Sequence, residues 1–252
     1  MPTSLPLTTR APASAQPPKP IRWLALAHFA NDFFSGSLGI LLAAQANQLG
    51  LSNAQIGNAA GLFLLLSLSQ PFLGWIADRT GRTDVMLTGP FWTALGLLIC
   101  GLAESYLVVL MGVLVGGMGN AMFHPSALAN ARAFGGLRGK GRSVALFMLG
   151  GNGGFGVGPF LAGFLLDAMG PPGIAPYALV SFVLVPLLVW RLLPYSRDRL
   201  ADIQTETASD AAPSAGPQIA PRWRTVIGLL GAYLVIVLVR GIPNQGFSTF
   251  MP

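Results

Sequence analysis

Two histidines and an aspartate lie within long apolar stretches of the sequence, where ionisable side chains are rare. His28 and Asp32 are four residues apart, so a helix would place both on one face. With a rise of about 1.5 Å per residue, Asp32 lies roughly 13 Å along that helix from Trp23. By the same rise, His124 lies about 12 Å from Arg132. This predicts that His124 and the His28–Asp32 pair lie at a similar depth in the membrane.

These three side chains are candidates for a protonatable cluster inside a membrane. Imidazole titrates near neutral pH, and chains of intramembrane Asp and His residues serve as proton relays. A charge near the bilayer centre costs about 2.5–3.5 kcal/mol on insertion scales, so Asp32 should face a partner or water. The alternative for each of the three is a purely structural hydrogen bond to a neighbouring helix.

Arg240 is a further candidate, because it lies within the last apolar run of the chain. It is about 22 Å along a helix from Thr225, beyond the midplane of a bilayer. One interpretation is a counter-ion for an anionic substrate or for Asp32. The other is an arginine whose side chain extends to the outer interface, and the sequence leaves both open.

The composition identifies the setting of these residues as a membrane. Hydrophobic residues make up 52% of the 252 residues and charged residues 10%, with a mean hydropathy of +0.60, whereas a typical soluble chain is about one quarter charged. The net charge of +6 comes from short basic clusters, without the basic face of a nucleic-acid-binding protein. The single cysteine, Cys100, excludes an intramolecular disulfide and a CxxC-type metal site. We therefore expect no nucleic acid, no metal and no cofactor.

Six apolar runs reach the length of about 20 residues that crosses a bilayer. A Pro/Ala/Ser/Thr-rich tail at 1–20 precedes them and is expected to be disordered. A polar linker at 194–224 follows them, and a seventh apolar run occupies 225–252. The six runs fill the region 21–193 and lie near residues 21–48, 54–77, 85–103, 106–131, 143–169 and 174–193.

Basic residues predict which side of the membrane each connection occupies. Of the 15 Lys and Arg residues, all but Arg240 precede the first span or fall in alternate connections. Cytoplasmic loops carry such an excess, which predicts a multi-pass protein with a cytoplasmic N-terminus. A cleaved signal peptide ending at the Ala-Gln-Ala of 44–46 is a poorer interpretation, because the first apolar stretch is too long and is interrupted by polar residues.

The connection between the second and third spans is short and charged. It reads Gly74-Trp-Ile-Ala-Asp78-Arg79-Thr-Gly81-Arg82. Its glycines permit a turn, and Asp78 beside the arginines can form charge-assisted pairs that lock or release neighbouring helices. This element resembles the signature of the loop between helices 2 and 3 in the major facilitator superfamily, which implies a role in conformational exchange.

Glycines recur at a spacing of four residues in the fifth span, at Gly150, Gly154 and Gly158. Such a stripe allows another helix to pack closely. The pattern Gly154-x3-Gly158-Pro159-x2-Ala-Gly163 also resembles the fifth-helix signature of antiporters in the same superfamily. That resemblance implies export by exchange.

Three further elements are similar to the fosmidomycin-resistance subfamily of these transporters. They are Gly-Met-Gly-Asn-Ala-Met-Phe-His-Pro at 117–125, His-x-x-Asn-Asp at 28–32, and Arg240 followed by Phe-Ser-Thr-Phe-Met-Pro at 247–252, and the similarity extends over about residues 22–252. One departure is Val113, which occupies the place of an arginine common in proton-coupled members, so coupling must use other groups. The residues that the resemblance assigns to a proton-coupling or substrate cavity are His28, Asn31, Asp32, Asn120, His124 and Arg240.

The resemblance implies an all-α membrane helix bundle, namely the six-helix N-terminal half of a major-facilitator fold plus the start of the second half. The expected function is secondary active, proton-coupled efflux of a small polar or antibiotic-like solute by alternating access, in a bacterial inner membrane and without enzymatic activity. Its partners would be the solute, protons, the lipid bilayer and the missing second half. The alternative is a non-transporting membrane fragment or scaffold from a truncated gene.

Overall fold

The computed structural model describes residues 19–80 and 87–210, and the regular structure within these ranges is helical throughout. This confirms the all-α bundle. The predictions for residues 1–18, for Gly81 and Arg82, and for the run with Arg240 lie outside the described residues. A short 3-10 turn at Pro171–Gly173 precedes the last helix. The α-helices are α1 (Lys19–Leu49), α2 (Asn53–Ser67), α3 (Gln70–Thr80), α4 (Gly89–Gly101), α5 (Tyr106–Phe134), α6 (Gly136–Met169) and α7 (Ile174–Asp210).

Four described stretches are long and apolar enough to cross a membrane. α1 is 31 residues long but falls outside this set, because polar side chains interrupt its apolar sequence. α4 falls outside it because the helix is 13 residues long. Both nevertheless pack inside the bundle, α1 between α6 and α4 and α4 against α5. The four stretches are Asn53–Ala77, Tyr106–Phe134, Gly139–Met169 and Pro171–Tyr195.

The second predicted span is divided by a turn at Leu68 and Ser69, and Pro71 lies in the first turn of α3. Proline lacks the amide hydrogen that would bond to the carbonyl four residues earlier. The chain tightens just before it, and the amides of Leu68 and Ser69 donate to the carbonyls of Leu65 and Leu66 at 3.0 Å each. In contrast, the prolines of α5 and α6 lie inside continuous helices.

The sixth predicted span does not end as a helix at residue 193. α7 continues to Asp210 and contains Pro186 and Pro194. The first part of the predicted linker is therefore helical. After residue 196 its sequence is rich in Arg, Asp, Gln and Glu. All of these residues except Asp have good helix propensity, so this sequence suits a helix.

The most extensive contact in the bundle joins α1 to α6, and it depends on glycine. A side chain added at Gly154 would overlap the backbone carbonyl of Phe29, and one added at Gly158 would overlap that of Phe33. Gly150 faces the carbonyl of Ala25 in the same way. The stripe with a spacing of four residues on α6 thus lies against residues of the same spacing on α1, and the two backbones approach directly.

A second close approach joins α4 to α5. A Cβ at Gly96 would overlap the backbone of Gly116, and one at Gly119 would lie 2.6 Å from the carbonyl oxygen of Gly89. These two glycine contacts bring α1, α4, α5 and α6 close together. Polar side chains from facing helices can therefore meet in the middle of the bundle.

Candidate functional site

His28 lies at the contact between α1 and α6 and is 3% exposed. Its ring stacks on Phe147 of α6, with centroids 3.9 Å apart and planes inclined by 18°. Its Nδ1 lies 2.8 Å from the carbonyl oxygen of Phe147. A carbonyl can only accept, so Nδ1 carries a hydrogen and donates it. The imidazole is thereby held in one orientation, with Nε2 directed along α1.

The second imidazole nitrogen of His28 faces the carboxylate of Asp32. His28 Nε2 lies 3.1 Å from Asp32 Oδ2, and His124 Nε2 of α5 lies 3.4 Å from Asp32 Oδ1. The side chain of Asn31 donates to Asp32 Oδ1 at 3.0 Å. The side chains of His28, Asp32 and His124 are 4%, 15% and 25% exposed, so the cluster opens to its surroundings on the His124 side.

Two amides and a hydroxyl connect the cluster across three helices. Asn31 Nδ2 donates to Asn120 Oδ1 of α5 at 2.8 Å, and the same oxygen lies 3.0 Å from His124 Nε2. Thr93 of α4 donates to Asn31 Oδ1 at 3.1 Å. Buried polar groups require such partners. Here the partners connect α1, α4 and α5 into one network.

The structure therefore brings together five of the six predicted cavity residues. Sequence reasoning missed Thr93, because its hydroxyl is also within reach of the Gly89 carbonyl one turn back at 3.1 Å, which is an ordinary position for a helical threonine. It also missed the carbonyl of Phe147, for which no side-chain signal exists. The sixth predicted residue, Arg240, lies outside the described part of the chain. The five that meet are His28, Asn31, Asp32, Asn120 and His124.

Two described residues of the charged connection, Gly74 and Arg79, make their contacts with groups other than the cluster. A Cβ at Gly74 of α3 would lie 3.1 Å from the Pro125 ring of α5, so these helices are in close contact. The Arg79 guanidinium lies over the Trp75 ring, 4.3 Å from its centroid. The side chain of Asp78 lies outside the described residues, so its conformational role remains a prediction.

The residues of the antiporter-like element of α6 differ in what they contact. Gly154 and Gly158 face the backbone of α1, whereas a Cβ at Gly163 would meet only Ile40 Cδ1, at 3.3 Å. Pro159 lies within the continuous helix. Two of the four signature residues thus set the distance between α1 and α6.

The three ionisable side chains have the atoms that a metal site needs as well as those that a proton site needs. His28, Asp32 and His124 place their nitrogen and oxygen atoms within 4.8 Å of one another. These atoms already make hydrogen-bond contacts with one another and with Asn31 and Asn120, so no metal ion is needed to explain their placement. Val113 is 1% exposed and lines a small, mostly apolar pocket beside Thr93.

Curated transporters are similar to part of this chain. The fosmidomycin resistance protein of Escherichia coli is 30% identical over 167 residues, which cover 66% of this chain and 41% of that protein. The uncharacterized MFS-type transporter YfnC of Bacillus subtilis is 26% identical over 168 residues, with the same two shares. The multidrug resistance protein MdtH of Aeromonas hydrophila is 30% identical over 122 residues, 48% of this chain and 31% of that protein. The chain spans less than half the length of the relatives it matches.

The family assignment rests on a longer match. The profile described as Major Facilitator Superfamily matches residues 24–252, from the start of α1 onwards. The matched region contains the polar cluster, the charged connection and the glycine stripe, all of which the resemblance of the motifs had assigned to such a protein. The chain therefore belongs to the major facilitator superfamily, a family of multi-pass membrane transporters rather than enzymes.

Proposed function

We propose that the protein exports a small polar or antibiotic-like solute in exchange for protons, by alternating access of a central site to the two sides of the membrane. The names of two of these relatives support export, since they refer to resistance to fosmidomycin or to multiple drugs. The buried polar cluster argues against a passive scaffold, because intramembrane ionisable groups are costly and usually functional.

The observation that carries proton coupling is that one imidazole faces two acceptors. His28 lies 2.8 Å from the Phe147 carbonyl through Nδ1 and 3.1 Å from Asp32 through Nε2. A neutral imidazole has one N–H, and an ionised carboxylate has none to offer. Both contacts are hydrogen bonds only when the pair holds one additional proton, either on His28 Nε2 or on Asp32 Oδ2.

Release of this proton would leave the pair with one donor for two acceptors. If the hydrogen stayed on Nδ1, the Nε2 lone pair would face the Asp32 carboxylate. If it moved to Nε2, the Nδ1 lone pair would face the Phe147 carbonyl, and the bond between α1 and α6 would be lost. Proton release thus favours a different arrangement of these two helices, which is the differential interaction that a coupled conformational change needs.

Among the residues that the structure describes, the titratable groups facing Asp32 belong to two helices. His28 comes from α1 and His124 from α5. The other helices at the cluster contribute uncharged groups, the Thr93 hydroxyl of α4 and the Phe147 carbonyl of α6. His124 has the most exposed of the three ionisable side chains, so we propose it as the group that exchanges protons with the solvent. Asn31 and Asn120 then transmit the change in protonation to α4 and α5.

The substrate site is proposed to lie beside this network, facing the second half of the transporter. In this superfamily the substrate binds between the halves, and the chain spans 41% of the length of its two most extensively matched relatives. Arg240 would contribute a positive charge for an anionic solute. The Asp78 connection would bias the balance between the inward-open and outward-open states.

Proton coupling can be tested with the complete gene product in proteoliposomes, using fosmidomycin as the probe. A proton gradient whose acidic side is opposite the cytoplasmic face of the protein should drive export of the probe at least tenfold faster than equal pH on both sides. In vesicles without a gradient, addition of the probe should also move protons, which a pH-sensitive dye would detect. Probe movement that is independent of the gradient and moves no protons would contradict the proposal.

The proposed orientation places the N-terminus and residues 132–142, at the junction of α5 and α6, in the cytoplasm of a bacterial cell. It rests on the one-sided distribution of basic residues. On a Cys100→Ser background, Arg138→Cys should react with a membrane-impermeant maleimide in inside-out vesicles and not in intact cells. Glu104→Cys, in an exposed position on the opposite connection, is the matched control and should show the reverse. Labelling of Arg138→Cys in intact cells would overturn the orientation.

A further inference from the structure

Gly151 stands out among the glycines of α6 because a side chain there would meet the two ionisable side chains of α1. A Cβ at Gly151 would lie 2.8 Å from Asp32 Oδ2 and would overlap the imidazole of His28. Its neighbour Gly150 faces the Ala25 carbonyl instead. Gly150 thus makes room for the backbone of α1, whereas Gly151 makes room for the side chains of His28 and Asp32.

We propose that Gly151 is a positioning residue of the proton site, whose missing side chain keeps His28 Nε2 and Asp32 Oδ2 within hydrogen-bond distance. The inference rests on the proposed function, because it assigns Gly151 a role in holding the shared proton. It adds a residue that belongs neither to the glycine stripe nor to the ionisable cluster.

The helix geometry explains why this position matters. Residue 151 follows Phe147 by one turn, so its amide is the helix partner of the Phe147 carbonyl. The same carbonyl accepts the Nδ1 hydrogen of His28 at 2.8 Å, using its second lone pair. A side chain at 151 would occupy the space through which the imidazole reaches that oxygen.

Neither partner has room to move away from an added methyl group. The His28 ring is held by stacking on Phe147 at 3.9 Å and by the Nδ1 bond. The Asp32 carboxylate is held by Asn31 at 3.0 Å and by His124 at 3.4 Å. A methyl group must therefore displace one of them, and the 3.1 Å contact that holds the proton would lengthen beyond hydrogen-bond distance.

Gly151→Ala is accordingly expected to uncouple transport. With fosmidomycin as the probe and the complete gene product in proteoliposomes, we expect gradient-driven export to fall at least tenfold, while downhill exchange without a gradient is retained. In histidine-¹⁵N-labelled protein, the Nε2 resonance of His28 should change from that of a hydrogen-bonded nitrogen, which either carries the shared proton or accepts it from Asp32, to that of a nitrogen without a hydrogen bond. The resonance of His28 is assigned by its loss in a His28→Gln variant.

Two glycines of the same helix provide matched controls. A Cβ at Gly156 meets nothing within 4 Å, and one at Gly153 makes an ordinary contact of 3.5 Å with Phe29. Gly156→Ala and Gly153→Ala should keep both the coupling and the His28 signal. If Gly151→Ala behaves like these controls, the inference is wrong and the proton site stands. If His28 Nε2 makes no hydrogen bond in the wild-type protein itself, the proposed proton site fails first.

A second variant keeps the test decisive if Gly151→Ala alone does not fold. The double variant Gly151→Ala with His28→Ala removes the ring that the methyl group would overlap. Recovery of folding in the double variant, measured as the thermal midpoint in detergent, is expected, because the conflict lies with the imidazole. Equal loss of folding in both variants would place the conflict in the helix backbone and overturn the inference.

Discussion

Asp32→Asn is expected to abolish export driven by a pH gradient while leaving downhill exchange in place. Asparagine has nearly the shape of aspartate, so the contacts with His28 and His124 at 3.1 and 3.4 Å can persist. Its amide can donate to His28 Nε2, however, and the pair is then satisfied without an additional proton. The protein loses the need to bind a proton and therefore the means of using the gradient.

The expected loss is large because the hydrogen bond involved carries charge. Such bonds contribute about 1.5–3 kcal/mol, which corresponds to roughly a ten- to hundredfold shift in an equilibrium. The measurement is fosmidomycin export by proteoliposomes with and without a gradient. Asp167→Asn, at an exposed position near the end of α6, controls for the loss of one negative charge and should transport normally. Unchanged gradient-driven export by Asp32→Asn would show that the carboxylate is only structural.

Gly154→Ala is expected to destabilise the bundle, because Gly154 belongs to the stripe that faces the backbone of α1. The added carbon would overlap the carbonyl of Phe29, and backbone atoms cannot rotate away as a flexible side chain can. Overpacking of this kind costs about 1–3 kcal/mol and sometimes more. The measurement is the free energy of unfolding in mixed detergent micelles, followed by circular dichroism.

Gly156→Ala tests the same substitution two residues along the helix with the opposite expected sign. A Cβ there meets nothing within 4 Å, and alanine is better than glycine in a helix interior by about 0.8–1.0 kcal/mol in aqueous hosts. We therefore expect Gly156→Ala to be neutral or slightly stabilising. Equal effects of the two substitutions would contradict the direct approach of α1 and α6.

Periodicity along single helices determined much of this protein from the sequence. His28 and Asp32 share a face because they are four residues apart, and the glycines of α6 form a stripe for the same reason. The apolar composition required a membrane bundle of helices. Even the break just before Pro71 follows from a missing amide hydrogen. These features are local, so they depend on the order of residues and not on which helix lies beside which.

The pairing of helices decided the rest. The sequence left His124 open between a structural and a functional role, and its 3.4 Å distance from Asp32 exists only because α5 packs beside α1. Thr93 and Gly151 enter the site for the same reason. The second acceptor of His28 is a backbone carbonyl, which every residue possesses, so no residue type at position 147 could have predicted it. Contacts between helices depend on register and backbone distance, and these are properties of the packed bundle alone.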